Sequence, residues 1–160
     1  MAHGRRGEVS GREAQVRVRA TRGALLRLHG SWPARVEEIR VVRSELRRFL
    51  RGAGAHEDAI SDVLVACSEA CGNAIRHPVD PSVAAFEVKA DADREYVRLI
   101  VRDFGLWREK PVTNGDRGFS GLTLMCSLMD DVRLRRTQRG TFVRMRRTLK
   151  ADGFAPTPAG

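Results

Sequence analysis

The sequence predicts an α+β fold, a two-layer sandwich in which a mostly antiparallel mixed sheet carries about three helices on one face. In the first half of the chain, two long segments place apolar residues at three- and four-residue spacing, typical of helices with one buried face. In the second half, four shorter segments alternate with period two, as strands do. Strands and helices come in runs instead of alternating strictly, which favours a sandwich over a doubly wound sheet.

The first half of the chain predicts one strand and two helices. Residues 24–29 are short and apolar and predict the first strand. Ser31 can cap the following helix, with Pro33 in its first turn. After a glycine-rich loop, residues 57–76 predict a second helix with one apolar stripe, and Pro78 ends it.

The second half predicts two hairpins separated by a loop and a short helix. Its four strands are expected at residues 84–90, 96–103, 131–136 and 141–149. Residues 104–120 lack a regular pattern and contain three glycines and one proline, so they predict a long loop of the kind that often has a function. A short helix around residues 122–129 follows.

Length and composition predict one domain. The chain has 160 residues, 42% of them hydrophobic, so it can bury a substantial core. We expect this domain over residues 23–150, between a flexible basic arm at 1–22 and a flexible tail at 151–160. No segment has the length of a membrane span or the apolar block of a secretory signal, which predicts a cytoplasmic protein without a membrane partner. The three cysteines do not suggest disulfides, and Cys67 and Cys71 are expected to be buried thiols.

The net charge of +9 is concentrated in two regions. Residues 5–22 carry six arginines against two glutamates, and residues 133–150 carry eight basic residues and no acidic one. Such runs can meet nucleic acid or an acidic partner. Aromatic residues are not interleaved with them as a base-stacking surface requires, so we expect solvated strand faces and no direct nucleic-acid binding.

The second helix carries a row of polar residues beside its apolar stripe. Glu69, Asn73 and His77 recur at four-residue steps and therefore stack on one face. These three residues alone favour a solvated polar face over a functional site. Three later stretches favour a functional site.

Each of these stretches combines a glycine with a polar residue. Asp103 ends a predicted strand two residues before Gly105. A carboxylate there can accept a hydrogen bond from an exocyclic amine, and the glycine lets a planar ligand approach the backbone. The stretch from Arg117 to Leu122 opens a helix whose free N–H groups suit phosphate. The pair Gly140-Thr141 enters the last strand, where a hairpin turn would also explain it.

Taken in order, the four stretches resemble the ATP-binding fold shared by gyrase, chaperone, histidine-kinase and mismatch-repair ATPases. Within that superfamily the chain is similar to the small anti-sigma-factor serine/threonine kinases, from about residue 25 to residue 149. No phospho-acceptor histidine helix pair, as a sensor histidine kinase would carry, is found in the sequence.

The resemblance implies a role for each matching residue. Glu69 would be the catalytic base or orienting carboxylate, and Asn73 would bind the Mg²⁺ that bridges the phosphates of ATP. Asp103 would bind the adenine amine. The other implied nucleotide-binding residues are His77, Gly105, Arg117, Gly118, Gly121, Leu122 and Thr141.

The resemblance also implies the partners. The protein would phosphorylate a serine or threonine of an anti-anti-sigma antagonist, sequester a sigma factor, and form a homodimer. The second glycine of the family's Asp-x-Gly-x-Gly box is Trp107 here, and the glycines of the lid are spaced Gly-x-x-Gly. The alternative is therefore a partner-switching pseudokinase, with or without bound nucleotide, that transfers no phosphoryl group.

Overall fold

A computed structural model describes residues 15–21, 25–76, 84–104, 118–138 and 140–150. This part of the chain contains six strands and three helices, and the predicted α+β class is confirmed. In chain order they are β1 (Gln15–Thr21), β2 (Leu25–Pro33), α1 (Glu38–Gly52), α2 (Glu57–Arg76), β3 (Ala85–Ala92), β4 (Tyr96–Asp103), α3 (Gly118–Leu128), β5 (Asp131–Thr137) and β6 (Gly140–Thr148).

The strands form one sheet in the order β1-β2-β3-β4-β6-β5. All five strand pairings are antiparallel, whereas the sequence predicted a mostly antiparallel mixed sheet. Across the four central strands, Leu28, Ala90, Leu99 and Met145 lie opposite one another and all are buried. The alternation of buried and exposed positions gives the sheet one apolar face, which the helices cover.

Helix α2 lies at the centre of the helical layer. It contacts β3, β4 and β6 of the sheet and both other helices. Its buried residues are Ala59, Ile60, Val63, Leu64, Ala66, Cys67, Ala70, Cys71 and Ala74. Because this stripe must face the sheet to leave water, it fixes the rotation of the helix about its axis.

The two cysteines of this helix are buried thiols, as predicted. The Sγ atoms of Cys67 and Cys71 are 3.9 Å apart. Their hydrogen bond and the burial of the site hold the pKa of Cys71 well above its ordinary value, so this thiol stays protonated at neutral pH. None of the described helices is long and apolar enough to span a membrane.

The prediction of a flexible arm over residues 1–22 is wrong for Gln15–Thr21, which form β1 and pair with β2. Valine and alanine at positions 16, 18 and 20 alternate with two arginines, so the period-two pattern was present but weak. The hydrogen bonds of the neighbouring strand outweigh that weak local preference.

The start of the first helix is also corrected. Ser31 and Pro33 belong to β2, and α1 begins at Glu38 without a side-chain cap at Glu37. The strand continues through Trp32 because this residue is 1% exposed and stacks on Phe86, with ring centroids 6.0 Å apart. Burial of two aromatic rings outweighs the modest free energy of a cap. Helix α3 begins at Gly118, so the last three residues of the loop predicted over 104–120 belong to the helix.

An ion-pair cluster of partly exposed side chains joins α2 to the last hairpin. The guanidinium of Arg147 donates to Asp62 of α2 and to Asp130, each at 3.0 Å. Asp130 also accepts from the backbone N–H of Thr148 at 2.7 Å and from its hydroxyl at 2.8 Å. Partial burial raises the pKa of Asp130, but the hydrogen bonds from Thr148 and Arg147 outweigh it, so the pKa lies below its ordinary value of 3.8.

This cluster predicts a pH-dependent contribution to stability. The native state holds the ionised form of Asp130, so its contribution is complete above the unfolded-state pKa and is lost as pH falls through the lower folded-state pKa. We expect Asp130→Asn to lower the free energy of unfolding by about 1–2 kcal/mol at pH 7. Urea titrations from pH 7 to pH 2 should show the difference from wild type shrinking below about pH 4.

The matched control is Asp131→Asn, next in the chain, which removes an ion pair between exposed side chains. It should change the free energy of unfolding by less than about 1 kcal/mol. An Asp130→Asn effect that is independent of pH would contradict the electrostatic account.

Candidate functional site

Helix α2 presents a carboxylate and a carboxamide one turn apart. Glu69 and Asn73 are both half-buried and lie on the side of the helix that borders α3. Their direction follows from the apolar stripe of the same helix, which is buried against the sheet. The two side chains are therefore held on a rigid support at the edge of the core.

Helix α3 approaches these side chains through a glycine. A Cβ atom added to Gly121 would lie 2.9 Å from Glu69 Oε2 and 3.8 Å from Asn73 Nδ2. The shorter distance is below normal contact, so the absence of a side chain at this position leaves room for the carboxylate. Glu69, Asn73 and Gly121, which the sequence predicted as site residues, are thus neighbours in space.

The turn of α2 before Glu69 is held by a residue that sequence reasoning missed. Arg43 of α1 donates to the carbonyl oxygen of Leu64 at 3.1 Å and to the hydroxyl of Ser68 at 2.8 Å. The Ser68 hydroxyl donates to the same carbonyl at 2.6 Å. No sequence signal links Arg43 to this turn, because the contact depends on the packing of α1 against α2.

A second group of predicted residues meets at the ends of β4 and β6. Asp103 continues the alternation of the buried Leu99 and Val101, so it lies on the helix side of the sheet. Its Oδ1 atom accepts a hydrogen bond from the backbone N–H of Thr141 at 3.0 Å. A carboxylate can accept further hydrogen bonds beside this one.

Gly140 makes this contact sterically feasible. Its φ is +113°, and a Cβ atom there would lie 1.9 Å from the carbonyl oxygen of Asp103. No residue with a side chain can occupy that position unless the two strands move apart. In the sequence Gly140 is explained equally well by a hairpin turn, and its place directly before Thr141 is the signal that identifies it.

The remaining predicted site residues are placed as follows. Gly118 is the first residue of α3, so that helix begins where the sequence predicted a phosphate-binding turn. Leu122 is half-buried and packs against the core. His77, Gly105 and Arg117 lie outside the described residues.

The arrangement suits a nucleotide with a metal ion better than a metal ion alone. No group of three or more His, Cys, Asp or Glu residues within the described ranges could hold a metal. Mg²⁺ is commonly bound by one or two protein oxygens and completed by phosphate oxygens and water. Asn73, half-buried one turn after Glu69, has one carboxamide oxygen and fits that requirement.

Comparisons with known proteins give the class of the fold. A solved structure of the RsbU and RsbW domains of a Mycobacterium tuberculosis protein superposes with a TM-score of 0.60 at 28% identity. The match covers 76% of this chain, which spans only about a third (32%) of that protein. The serine-protein kinases RsbW of Bacillus cereus strain AH187 and Bacillus thuringiensis subsp. konkukian are each 25% identical over 116 residues, 64% of this chain and 72% of the relative.

The family follows from a longer match. Residues 32–147 match the histidine kinase-like ATPase domain, and the chain belongs to this family. The superfamily and the likeness to anti-sigma-factor kinases that the ordered sequence stretches indicated are thereby confirmed.

We expect Gly140→Ala to destabilise the protein strongly. The positive φ alone costs about 1–3 kcal/mol for a residue with a side chain, and the contact with the Asp103 carbonyl adds to it. Thermal unfolding followed by circular dichroism measures the effect.

Gly52→Ala is the control, because a Cβ atom at this last residue of α1 would meet only Leu26 at 3.8 Å. It should be neutral or stabilising by up to about 1 kcal/mol. Equal unfolding temperatures for the two variants would show that Gly140 is not required.

Proposed function

We propose that this protein is an ATP-dependent serine/threonine protein kinase and an anti-sigma factor. It would phosphorylate an anti-anti-sigma antagonist and sequester a sigma factor. The observation that carries the proposal is the pairing of Glu69 and Asn73 beside Gly121, on the same side of the sheet as Asp103. The family match and the likeness to serine-protein kinases named RsbW support the reaction type and the class of partner.

The adenine end of the nucleotide is assigned to the tips of β4 and β6. The Asp103 carboxylate, oriented by the N–H of Thr141, would accept a hydrogen bond from the exocyclic amine of adenine. Gly105, two residues further on, would give the ring access to the backbone.

The phosphate end is assigned to α2 and α3. Asn73 would supply a protein oxygen to Mg²⁺, and Gly118 at the start of α3 would present backbone N–H groups to the phosphates. Mg²⁺, when bound, neutralises charge on the phosphates. Arg117 and Gly121 would belong to the segment that covers the phosphates, and Leu122 would support this segment from the core. His77 would extend the row begun by Asn73.

Glu69 is the proposed general base. Its carboxylate would accept the proton of the attacking serine or threonine hydroxyl as the oxygen bonds to the γ-phosphorus. The bond between that phosphorus and the bridging oxygen breaks in line, and ADP leaves with the electron pair. Arg43 contributes indirectly, because it holds the turn from which Glu69 projects.

We expect Glu69→Gln to abolish most transfer while sparing ATP binding. The amide keeps the shape of the side chain but cannot accept the hydroxyl proton, so the rate should fall roughly 10²- to 10⁴-fold. Transfer is measured with γ-labelled ATP, Mg²⁺ and an anti-anti-sigma protein that binds the chain, and ATP affinity is measured by calorimetry. A Glu69→Gln protein that transfers at the wild-type rate would exclude Glu69 as the base.

The same assay separates the two candidate functions. Wild-type protein that binds the antagonist and the sigma factor but transfers no phosphoryl group would support the partner-switching pseudokinase instead.

We expect Gly121→Ala to slow transfer without unfolding the protein. The new methyl group would meet Glu69 Oε2 and displace a flexible carboxylate, and a shift of about 1 Å in a catalytic group can cost 10²-fold in rate. Alanine is at the same time favourable within a helix, by about 0.5–1 kcal/mol.

Gly72→Ala on α2 is the control for this variant. There the added Cβ would meet only the end of the Arg76 side chain, at 3.4 Å, and transfer should be unchanged. Equal transfer rates for Gly121→Ala and wild type would show that Glu69 does not act from its observed position.

A further inference from the structure

The sheet has a second face, on the side away from the helices, that we call the open face. It consists of the outward side chains of β1 to β6, and none of those in the described residues is buried. It carries ten basic side chains against three acidic ones, Glu87, Asp91 and Asp131. The basic residues are Arg17, Arg19, Arg27, Lys89, Arg98, Arg102, Arg133, Arg135, Arg144 and Arg146.

Most of this charge lies on three neighbouring strands. Outward positions repeat every two residues and adjacent strands run side by side, so the arginines of β4, β6 and β5 form a grid with spacings of about 5–7 Å. Arg98 lies directly opposite Arg146, and Arg144 directly opposite Arg133. All four are exposed. Asp91 lies opposite Arg98, and Asp131 lies opposite Arg146 and pairs with Arg133, so two carboxylates offset part of the charge of these four arginines.

Aromatic rings stand at both ends of this grid. The guanidinium carbons of Arg98 and Arg146 are 5.8 Å and 5.3 Å from the centre of the Tyr96 ring. At the other end, the guanidinium of Arg102 is 4.9 Å from the Phe142 ring and 4.4 Å from the Phe104 ring. The expectation of no direct nucleic-acid binding rests on the lack of aromatic residues interleaved with the basic runs in the sequence. The folded sheet removes that reason, because it places Tyr96 and Phe104, which lie outside the basic runs, beside arginines of β4 and β6.

We propose that the open face binds single-stranded nucleic acid. Guanidinium groups meet phosphates with planar, paired hydrogen bonds, and nine of the ten basic residues are arginines. Aromatic rings and guanidinium planes are the surfaces on which unpaired bases stack, and an open sheet presents them in one plane. A single strand offers both phosphates and accessible bases.

Two other occupants fit the face less well. A second copy of this chain would bring like charges into contact, which disfavours association through this surface. An acidic protein would match the charge but would not use the ring faces for stacking. The proposed ATP site is on the opposite side of the same strands, since Asp103 and Arg102 are neighbours in sequence and point to opposite faces. Binding here can therefore be tested without nucleotide.

The test is fluorescence anisotropy of a labelled 20-nucleotide oligo-dT with the full chain. We expect a dissociation constant in the micromolar range at 50 mM salt. If five arginines meet phosphates, the slope of log affinity against log salt should be about −3.5, or roughly 100-fold weaker binding at 200 mM. A glutamate 20-mer peptide of the same charge, at the same salt, should bind much more weakly.

Two variants separate the contributions. Arg144→Glu with Arg146→Glu should weaken binding by about tenfold or more and reduce the salt slope by about 1.4. Tyr96→Leu with Phe142→Leu should weaken binding by a similar factor and leave the slope unchanged, because stacking is not ionic. Circular dichroism verifies that each variant is folded.

The matched control is Arg35→Glu with Arg40→Glu, the same charge change at exposed positions near the start of α1. It should bind oligo-dT nearly as wild type does. If this control and the Arg144/Arg146 variant lose affinity equally, net charge alone explains the effect and the proposal is overturned. Three other results would also overturn the proposal. The first is no binding of oligo-dT at 50 mM salt, and the second is equally tight binding of the glutamate peptide. The third is a change in the oligomeric state of the Arg144/Arg146 variant that accounts for its weaker binding.

Discussion

Burial of the apolar stripe of α2 against the sheet is the constraint on which the rest of the structure depends. Leu64 and Val63 are fully buried, and the stripe extends over the length of the helix. Each large aliphatic side chain removed from water contributes about 1.5–3 kcal/mol, so rotation of the helix would cost far more than any polar contact at its edge could supply. Glu69 and Asn73 therefore have a fixed direction before α3 packs beside them.

Small residues then decide how closely the neighbouring elements can approach. Gly121 lets α3 lie against the Glu69 carboxylate, and Gly140 lets the start of β6 lie against the carbonyl of Asp103. Both contacts join segments that are distant in the sequence. In each case the missing side chain creates the space in which a polar group is held, a common arrangement where a backbone must come close to a ligand.

The strands β4 and β6 serve two chemically different surfaces. Their helix-side residues include the core residues Leu99 and Met145 and, at one end, Asp103 with its hydrogen bond to Thr141. Their outward residues are the arginines and aromatic rings of the open face. Because successive side chains of a strand alternate between faces, one pair of strands supports an apolar core on one side and a cationic surface on the other.

The sequence by itself determined the fold class, the extent of α2, the hairpin of β3 and β4, and the ordered polar and glycine-bearing stretches. Hydrophobic period and turn residues are local signals, and they are strong in these segments. Only the tertiary structure decided that Ser31 and Pro33 belong to a strand, because the reason is the burial of Trp32 against Phe86. It likewise decided the pairing of β1, the contact of Arg43 with the turn before Glu69, and the meeting of Tyr96 and Phe142 with arginines of two strands. Strand register and helix packing bring together residues that are distant in the sequence, and local sequence patterns do not show which of them are in contact.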